Sequence, residues 1–141
     1  IAYYLVSARD ITDAEWSSVA AVLHDRMTES VLQAAEEAAA EGISVEVVDL
    51  RTLYPVDRET IIESVKKTGK ALIVYEDNLT GGYGAEIAAI IAEQAFTDLD
   101  APVRRLAGPD VPAVPFSHPL QDWFMLNPAK IAEAIRQLAR Y

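Results

Sequence analysis

Residues 42–57 read GISVEVVDLRTLYPVD, and this stretch decides the fold class. Gly42 ends a helical run rich in Ala and Glu, and Ile43–Leu50 predicts a strand because valines recur along it. Pro55 closes the following turn, and Asp57 is a predicted N-cap of the next helix. Helix, strand and helix therefore follow one another with short connections, as is typical of α/β proteins.

The same alternation continues toward the C-terminus. Gly69 ends the second helix, Ala71–Tyr75 predicts a short buried strand, and Val103–Leu106 predicts another. A glycine-rich turn and a further helix lie between these strands. The predicted buried residues of that helix are Ile87, Ile90, Ile91 and Phe96. Asn127 as a cap and Pro128 at the first helical position open a final helix. This order predicts an α/β domain with a largely parallel sheet between two helical layers.

The first forty residues allow two interpretations. A capping box and the absence of Gly and Pro favour one long helix over Asp13–Glu41, preceded by a strand at Tyr3–Ser7. The alternative places a strand at Val19–Leu23 and begins the helix near Arg26. Short apolar runs do not distinguish a strand from a buried helix by periodicity alone. We prefer the long helix.

Composition excludes several classes of function. The 141 residues fit one domain, residues 1–141, and the 51% apolar share is ample for a core. Acidic residues outnumber basic ones, 22 to 12, which gives a net charge of −10 and argues against nucleic acid or an anionic membrane as partner. No run reaches the ~20 apolar residues of a membrane span. The chain has no Cys, so disulfides, thiolate nucleophiles and Cys-based zinc sites are excluded, and a reducing intracellular compartment is permitted.

Two candidate sites follow the Ala71–Tyr75 strand. The turn at 81–84, with three glycines, stands where helix amides can hold an anion, yet its spacing matches neither the dinucleotide fingerprint nor the P-loop. We therefore interpret it as a tight turn with close helix packing. Glu76 and Asp77 form a carboxylate pair, but adjacent residues of an extended chain point in different directions. A solvated turn or a capping role is the favoured interpretation.

The remaining candidates lie elsewhere. His24 and His118 lack the partner spacing of a metal site, and a surface or packing role is expected for His118. The loop from Pro115 to Leu126 concentrates large apolar residues, which favours either an interface or packing against its own domain. Both interpretations stay open for the Pro-rich region 107–127.

Four groups of residues together resemble a known family. They are the stretch at 42–57, SVKKTG at 64–69, EDN and GGYGAEI within 76–87, and LDAPV at 99–103. They closely resemble the C-terminal transketolase-like domain in the beta subunit of thiamine-dependent 2-oxo acid dehydrogenases of the pyruvate, branched-chain and acetoin types. The resemblance runs from about Met27 to Tyr141. It implies a three-layer α/β/α sandwich whose five-stranded sheet is mostly parallel with one antiparallel strand.

The segment 1–26 departs from the family pattern. The family has a short strand ending in a Tyr-Gly-like turn before the helix of Met27, whereas LHDR occupies that place at 23–26. This departure leaves the geometry of that sheet edge open and suggests an altered N-terminus.

The resemblance also implies what this chain does and what it lacks. In the family, thiamine diphosphate and magnesium are held between the alpha subunit and the pyrimidine-binding domain of the beta subunit, which also supplies the catalytic His. We therefore expect no catalytic, cofactor or metal residues here and no activity of the isolated domain. The expected role is assembly and docking within an oxidoreductase complex, in the cytoplasm of a bacterium or the mitochondrial matrix of a eukaryote.

The implied partners are the alpha subunit, a second beta subunit and the acyltransferase core. The small basic peripheral binding domain of that core pairs, in the family, with an acidic residue before Ala-Pro and with a C-terminal carboxylate. Those positions match Asp100 and Tyr141 here, and the charge of −10 agrees with a basic partner. Two alternatives remain: an autonomous flavodoxin-like domain that binds an anion or nucleotide at the Gly81 turn, and an excised or redesigned fragment without activity.

Overall fold

A computed structural model describes residues 3–9 and 26–141, with only the backbone path for 3–9 and for Arg26. The described helices and strands follow the chain in the order β1 (Tyr3–Arg9), α1 (Arg26–Ala40), β2 (Ser44–Asp49), α2 (Arg58–Thr68), β3 (Leu72–Asn78), α3 (Gly84–Gln94), β4 (Arg104–Gly108), α4 (His118–Phe124) and α5 (Pro128–Ala139). A 3-10 turn, Phe96–Asp98, follows α3. The alternation predicted from residues 42–57 onward is confirmed.

The described strands form one sheet in the order β2-β1-β3-β4. β1 pairs antiparallel with both β2 and β3, and β3 pairs parallel with β4. β2, β3 and β4 therefore run in one direction and β1 runs against them, as a mostly parallel sheet with one antiparallel strand requires. The predicted strand at Tyr3–Ser7 is confirmed.

The expectation of five strands is wrong for the part of the chain that the structure describes, which contributes four. From residue 26 onward the segments outside these strands form helices, turns and loops. The choice between a long helix from Asp13 and a strand at Val19–Leu23 lies outside the described residues. Only the later part of the predicted helix, Arg26–Ala40, is described, and it is helical.

Helices cover both faces of the sheet, because side chains alternate along β3. Leu72 and Val74 face one hydrophobic cluster, and Ile73 and Tyr75 face the other. The first cluster takes its helical residues from α1 and α5, and the second takes them from α2 and α3. Their buried side chains recur at helical spacing, for example Met27, Val31, Ala34 and Ala38 on α1. The predicted three-layer arrangement is confirmed.

Local signals in the sequence set the helix ends. Asp57 accepts a hydrogen bond from the Thr60 amide (3.0 Å), and Asn127 accepts one from the Lys130 amide (2.9 Å), so both predicted N-caps are confirmed. Gly69 ends α2 in the left-handed conformation, with φ of 71°.

The prediction that Phe96 is buried on the third helix is wrong. The helix ends at Gln94, and Ala95 takes a non-helical conformation. The chain therefore leaves the helical path before Phe96, whose surface is 73% exposed.

Candidate functional site

Asp100 lies at the amino edge of the sheet, the edge where β3 and β4 begin. Its amide donates a hydrogen bond to the Gly69 carbonyl (2.7 Å) at the end of α2. A Cβ on residue 69 would fall on the Oδ2 atom of Asp100. Gly69 therefore has two roles: it takes the left-handed conformation that ends α2, and its lack of a side chain leaves room for the Asp100 carboxylate.

The Asp100 carboxylate is exposed, and it makes no hydrogen bond or ion pair with another residue that the structure describes. Its neighbour Ala101 is buried in the same hydrophobic cluster as Ile135 and Leu138 of α5. Burial of Ala101 thus fixes the backbone beside α5 while the acidic side chain stays in solvent.

Tyr141 lies at the same edge, because α5 runs back toward the start of β3. The ammonium of Lys70 donates a hydrogen bond to the Ala139 carbonyl (3.2 Å), which joins the end of α5 to the turn that precedes β3. The Tyr141 amide donates to the Leu138 carbonyl (3.3 Å), and the Tyr141 surface is 63% exposed. Asp100 and the end of α5, two residues before Tyr141, therefore both contact the turn formed by Gly69 and Lys70.

An ion pair accompanies them at the amino edge. Arg136 of α5 donates hydrogen bonds to the Glu41 carboxylate from its Nε and Nη2 atoms, with the shortest distance 2.7 Å. This hydrogen bond lowers the pKa of the Glu41 carboxyl, and desolvation opposes only part of the effect. Arg136 is thus paired with a carboxylate, whereas Asp100 has no ion-pair partner in the part of the chain whose side chains the structure describes.

The carboxyl edge of the sheet, where β2, β3 and β4 end, carries the glycine-rich turn. A Cβ at Gly84 would fall on the ring of buried Tyr75, and a Cβ at Gly82 would fall on the Asn78 carbonyl oxygen and near the same ring (2.8 Å). The interpretation as a tight turn with close packing is confirmed. The Tyr75 ring packs against Gly82 and Gly84, whereas a Cβ at Gly81 would meet no atom within 4 Å.

The polar side chains around this turn form hydrogen bonds that stabilise it. Arg105 donates to the Leu79 carbonyl (2.7 Å) and to the Tyr75 hydroxyl (3.2 Å). Thr80 donates to Asp110 through both its hydroxyl (2.7 Å) and its amide (2.9 Å), and these bonds lower the pKa of the Asp110 carboxyl.

A second tie connects neighbouring loops at the carboxyl edge, since the Tyr83 hydroxyl donates to the Leu53 carbonyl (2.7 Å). Beside it lies an open groove of about 590 Å³ between residues 54–58 and 81–86. Its charged lining residues are one cation, Arg58, and one anion, Glu86, so the groove offers no net charge for a phosphate.

The other candidates are the carboxylates Glu76 and Asp77 and the two histidines. Asp77 accepts a hydrogen bond from the Asn78 amide (2.8 Å), and Glu76 is half-buried beside it. His118 is exposed at the start of α4, as expected for a surface role, and His24 lies outside the described residues. Within residues 3–9 and 26–141 no group of three or more His, Asp or Glu side chains could hold a metal ion, and no helix is long and apolar enough to cross a membrane.

One part of the Pro-rich region 107–127 packs against its own domain, and another part is exposed. It contains the short helix α4, whose Phe124 is buried, while the surface of Phe116 is 98% exposed. The ammonium of Lys130 holds the end of α4 by donating to three carbonyl oxygens, those of Asp122, Trp123 and Met125.

Sequence reasoning missed the residues that connect the two predicted site residues. Lys70 and Ala139 are 69 positions apart, and no local pattern indicates that they meet. The sequence predicted Gly69 as a helix end, but it did not predict that the Asp100 carboxylate packs against this glycine.

Comparisons with known proteins agree with this architecture. The family model of the transketolase C-terminal domain matches residues 15–131. The chain is 45% identical to 2-oxoisovalerate dehydrogenase subunit beta of Bacillus subtilis over 99% of its length, and 41% identical to the mitochondrial pyruvate dehydrogenase E1 component subunit beta of Dictyostelium discoideum over 91%. These matches cover 42% and 36% of the relatives, so the chain spans less than half the length of each.

A solved structure described as a split gene transketolase, inactive beta4 tetramer, is also similar. It is 29% identical with a TM-score of 0.66, and the match covers 81% of this chain and 35% of that one. The family model begins at residue 15, before the start at Met27 expected from the motifs, and it ends at residue 131, before Tyr141.

Proposed function

This chain belongs to the transketolase C-terminal domain family and is homologous to the beta subunits of pyruvate and 2-oxoisovalerate dehydrogenases, and from this we propose that it is a docking and assembly domain of such an enzyme. Asp100 and Tyr141 form its docking site for the basic peripheral binding domain of the acyltransferase core. The placement of both residues at the amino edge, with an exposed Asp100 carboxylate that pairs with no other described residue, carries this proposal.

Charge supports a basic partner. The chain has a net charge of −10, and a negative surface accelerates encounter with a positive one at low salt. Two exposed aromatic side chains, Phe96 and Tyr141, stand at the same edge and offer the residue type that dominates binding energy in many interfaces.

The same proposal places the decarboxylation chemistry outside this chain. The groove beside the glycine turn is lined by one cation, Arg58, and one anion, Glu86, so it offers a diphosphate no net positive charge. The parent enzyme binds the cofactor through other parts of its subunits. Calorimetric titration of the chain with thiamine diphosphate and magnesium is expected to show no binding, and micromolar affinity would contradict this assignment.

Assembly with the alpha subunit and a second beta subunit is the other half of the proposal. Exposed apolar residues of the Pro-rich region offer a contact surface, and they are Val114, Phe116, Leu120 and Trp123. Replacing Phe116 by Ser is expected to weaken association with the other subunits in sedimentation velocity while leaving the chain folded. Unchanged association would remove this surface from the interface.

The docking site is tested by surface plasmon resonance against the basic binding domain at low and moderate salt. If Asp100 is desolvated in the complex, Asp100→Lys is expected to cost about 2 to 5 kcal/mol of binding free energy, mainly through faster dissociation. Asp100→Asn removes the charge while keeping the shape, so it is expected to give a smaller loss in the same direction.

Glu63→Lys is the matched control, because Glu63 is an exposed acid on α2 and undergoes the same charge change. It is expected to change only the association rate and its salt dependence. Equal losses for Asp100→Lys and Glu63→Lys would reduce the effect to net charge and would overturn the site. Absence of wild-type binding would overturn docking by this chain.

A further inference from the structure

Lys70 connects the two parts of the docking site. It directly follows Gly69, whose carbonyl binds the Asp100 amide, and its ammonium donates to the Ala139 carbonyl two residues before Tyr141. The Lys70 side chain is half-buried, and its backbone carbonyl accepts a hydrogen bond from Thr68 (3.3 Å), which orders the turn.

We propose that Lys70 is a positioning residue that fixes the end of α5, and with it Tyr141, relative to Asp100. This inference rests on the proposed docking function. The last carbonyl groups of a helix have no partner within the helix, and a cation there also interacts favourably with the helix dipole. Lys70 supplies both interactions at the end of α5. It is also adjacent in sequence to Gly69, whose carbonyl accepts the hydrogen bond from the Asp100 amide.

Fixing the two groups matters because a partner that contacts both must otherwise order them on binding. Each side chain or terminal turn immobilised at that step reduces affinity, so a site that is ordered beforehand binds more tightly. The aliphatic stem of Lys70 also contributes packing, which a methionine would retain.

The charge of Lys70 acts in the opposite direction. An ammonium beside an acidic docking site repels a basic partner, so its removal would tighten binding if charge alone mattered. Removal of a positioning residue weakens binding. The direction of the change therefore separates the two roles.

The experiment compares Lys70→Met with Lys66→Met in the full chain. Lys66 is exposed in the last turn of α2, and its side chain makes no hydrogen bond to any residue within the described ranges. Both variants lose one positive charge, and only Lys70→Met loses the contact with α5. For binding to the basic domain we expect about three- to tenfold weaker affinity for Lys70→Met and equal or tighter affinity for Lys66→Met. Tighter binding by both variants would overturn the positioning role.

Amide hydrogen exchange of residues 137–141 provides a measurement that needs no partner. We expect exchange in Lys70→Met to rise at least about threefold over wild type, and exchange in Lys66→Met to stay unchanged. Unchanged exchange in Lys70→Met overturns the inference whatever the binding result. Faster exchange with no binding by the wild type would support Lys70 as the link to α5 and would refute the docking function alone.

Discussion

The two edges of the sheet use their polar groups in opposite ways. At the carboxyl edge, Arg105 and Asp110 form hydrogen bonds with the turn that follows β3, and the ring of Tyr75 packs against Gly82 and Gly84. At the amino edge, backbone groups and Lys70 hold the turns, and the carboxylate of Asp100 is left in solvent. Ligands of open α/β sheets usually bind at the carboxyl edge. Here the polar side chains at the carboxyl edge bond to the turn and the groove beside it carries no net charge, whereas the exposed Asp100 carboxylate lies at the amino edge.

The largest expected effect tests how rigid the carboxyl edge is. Gly84→Ala places a Cβ on the ring of Tyr75, a fully buried side chain between α2, α3 and the sheet. Because the ring has no space to move, we expect a loss of about 3 kcal/mol in the free energy of unfolding, measured by urea denaturation.

Gly81→Ala is the control in the same turn. Its Cβ would meet no atom within 4 Å, and only the φ of 79° opposes the substitution. A loss of about 1 kcal/mol is expected from backbone strain alone. Equal losses for the two variants would show that the packing of Tyr75 does not set the rigidity of this edge.

An intermediate effect is expected for the equivalent change at the amino edge. Gly69→Ala introduces a Cβ at a φ of 71° and displaces the Asp100 carboxylate. That carboxylate is exposed and can move, so the cost in unfolding free energy should be about 1 to 2 kcal/mol, mostly from the left-handed backbone.

Binding provides the second measurement for this variant. If the docking site is as proposed, Gly69→Ala weakens binding of the basic domain by more than its modest loss of stability suggests. Gly42→Ala, at another glycine with a positive φ that ends a helix, serves as control because its Cβ would meet no atom within 4 Å. A stability loss for Gly69→Ala above that of Gly84→Ala would reverse the comparison between the edges.

The smallest expected effect concerns acid stability at the amino edge. Folding lowers the pKa of Glu41 through its hydrogen bond with Arg136, so the pair stabilises the fold above the ordinary value of 4.5. That contribution is lost as the pH falls below 4.5 and through the lowered folded value. Glu41→Gln should therefore flatten the decline of thermal stability over that range, measured as Tm against pH.

Arg136→Met removes the partner of Glu41 together with a longer ion pair to Glu133 (3.7 Å), so it should flatten the same range at least as much as Glu41→Gln. A decline that is as steep in Glu41→Gln as in wild type would show that this exposed pair contributes nothing to acid unfolding.

Local signals made much of the fold predictable. Asp57, Gly69 and Asn127 act within a few residues of themselves, so their capping roles are visible in the sequence. The prediction for Phe96 failed because the helix ended two residues earlier, and α4 was missed because prolines surround it.

The candidate site was predictable only in part. Asp100 and Tyr141 entered through resemblance to a family, and their common edge follows from the topology. The contact between Lys70 and Ala139 joins residues 69 positions apart, and the approach of Tyr75 to Gly84 depends on how a helix sits on the sheet. Such contacts depend on packing rather than on propensity, so no window of sequence reveals them.

The packing of Tyr75 against Gly84 also has an evolutionary consequence. Position 84 has no side chain, and the Tyr75 ring occupies the volume that a side chain there would need. A larger residue at position 84 becomes acceptable only after position 75 has become smaller, so each single change passes through a destabilised intermediate. Among homologous sequences the two positions should therefore vary as a pair, and a lineage that has lost the aromatic ring is the one in which the glycine is free to change.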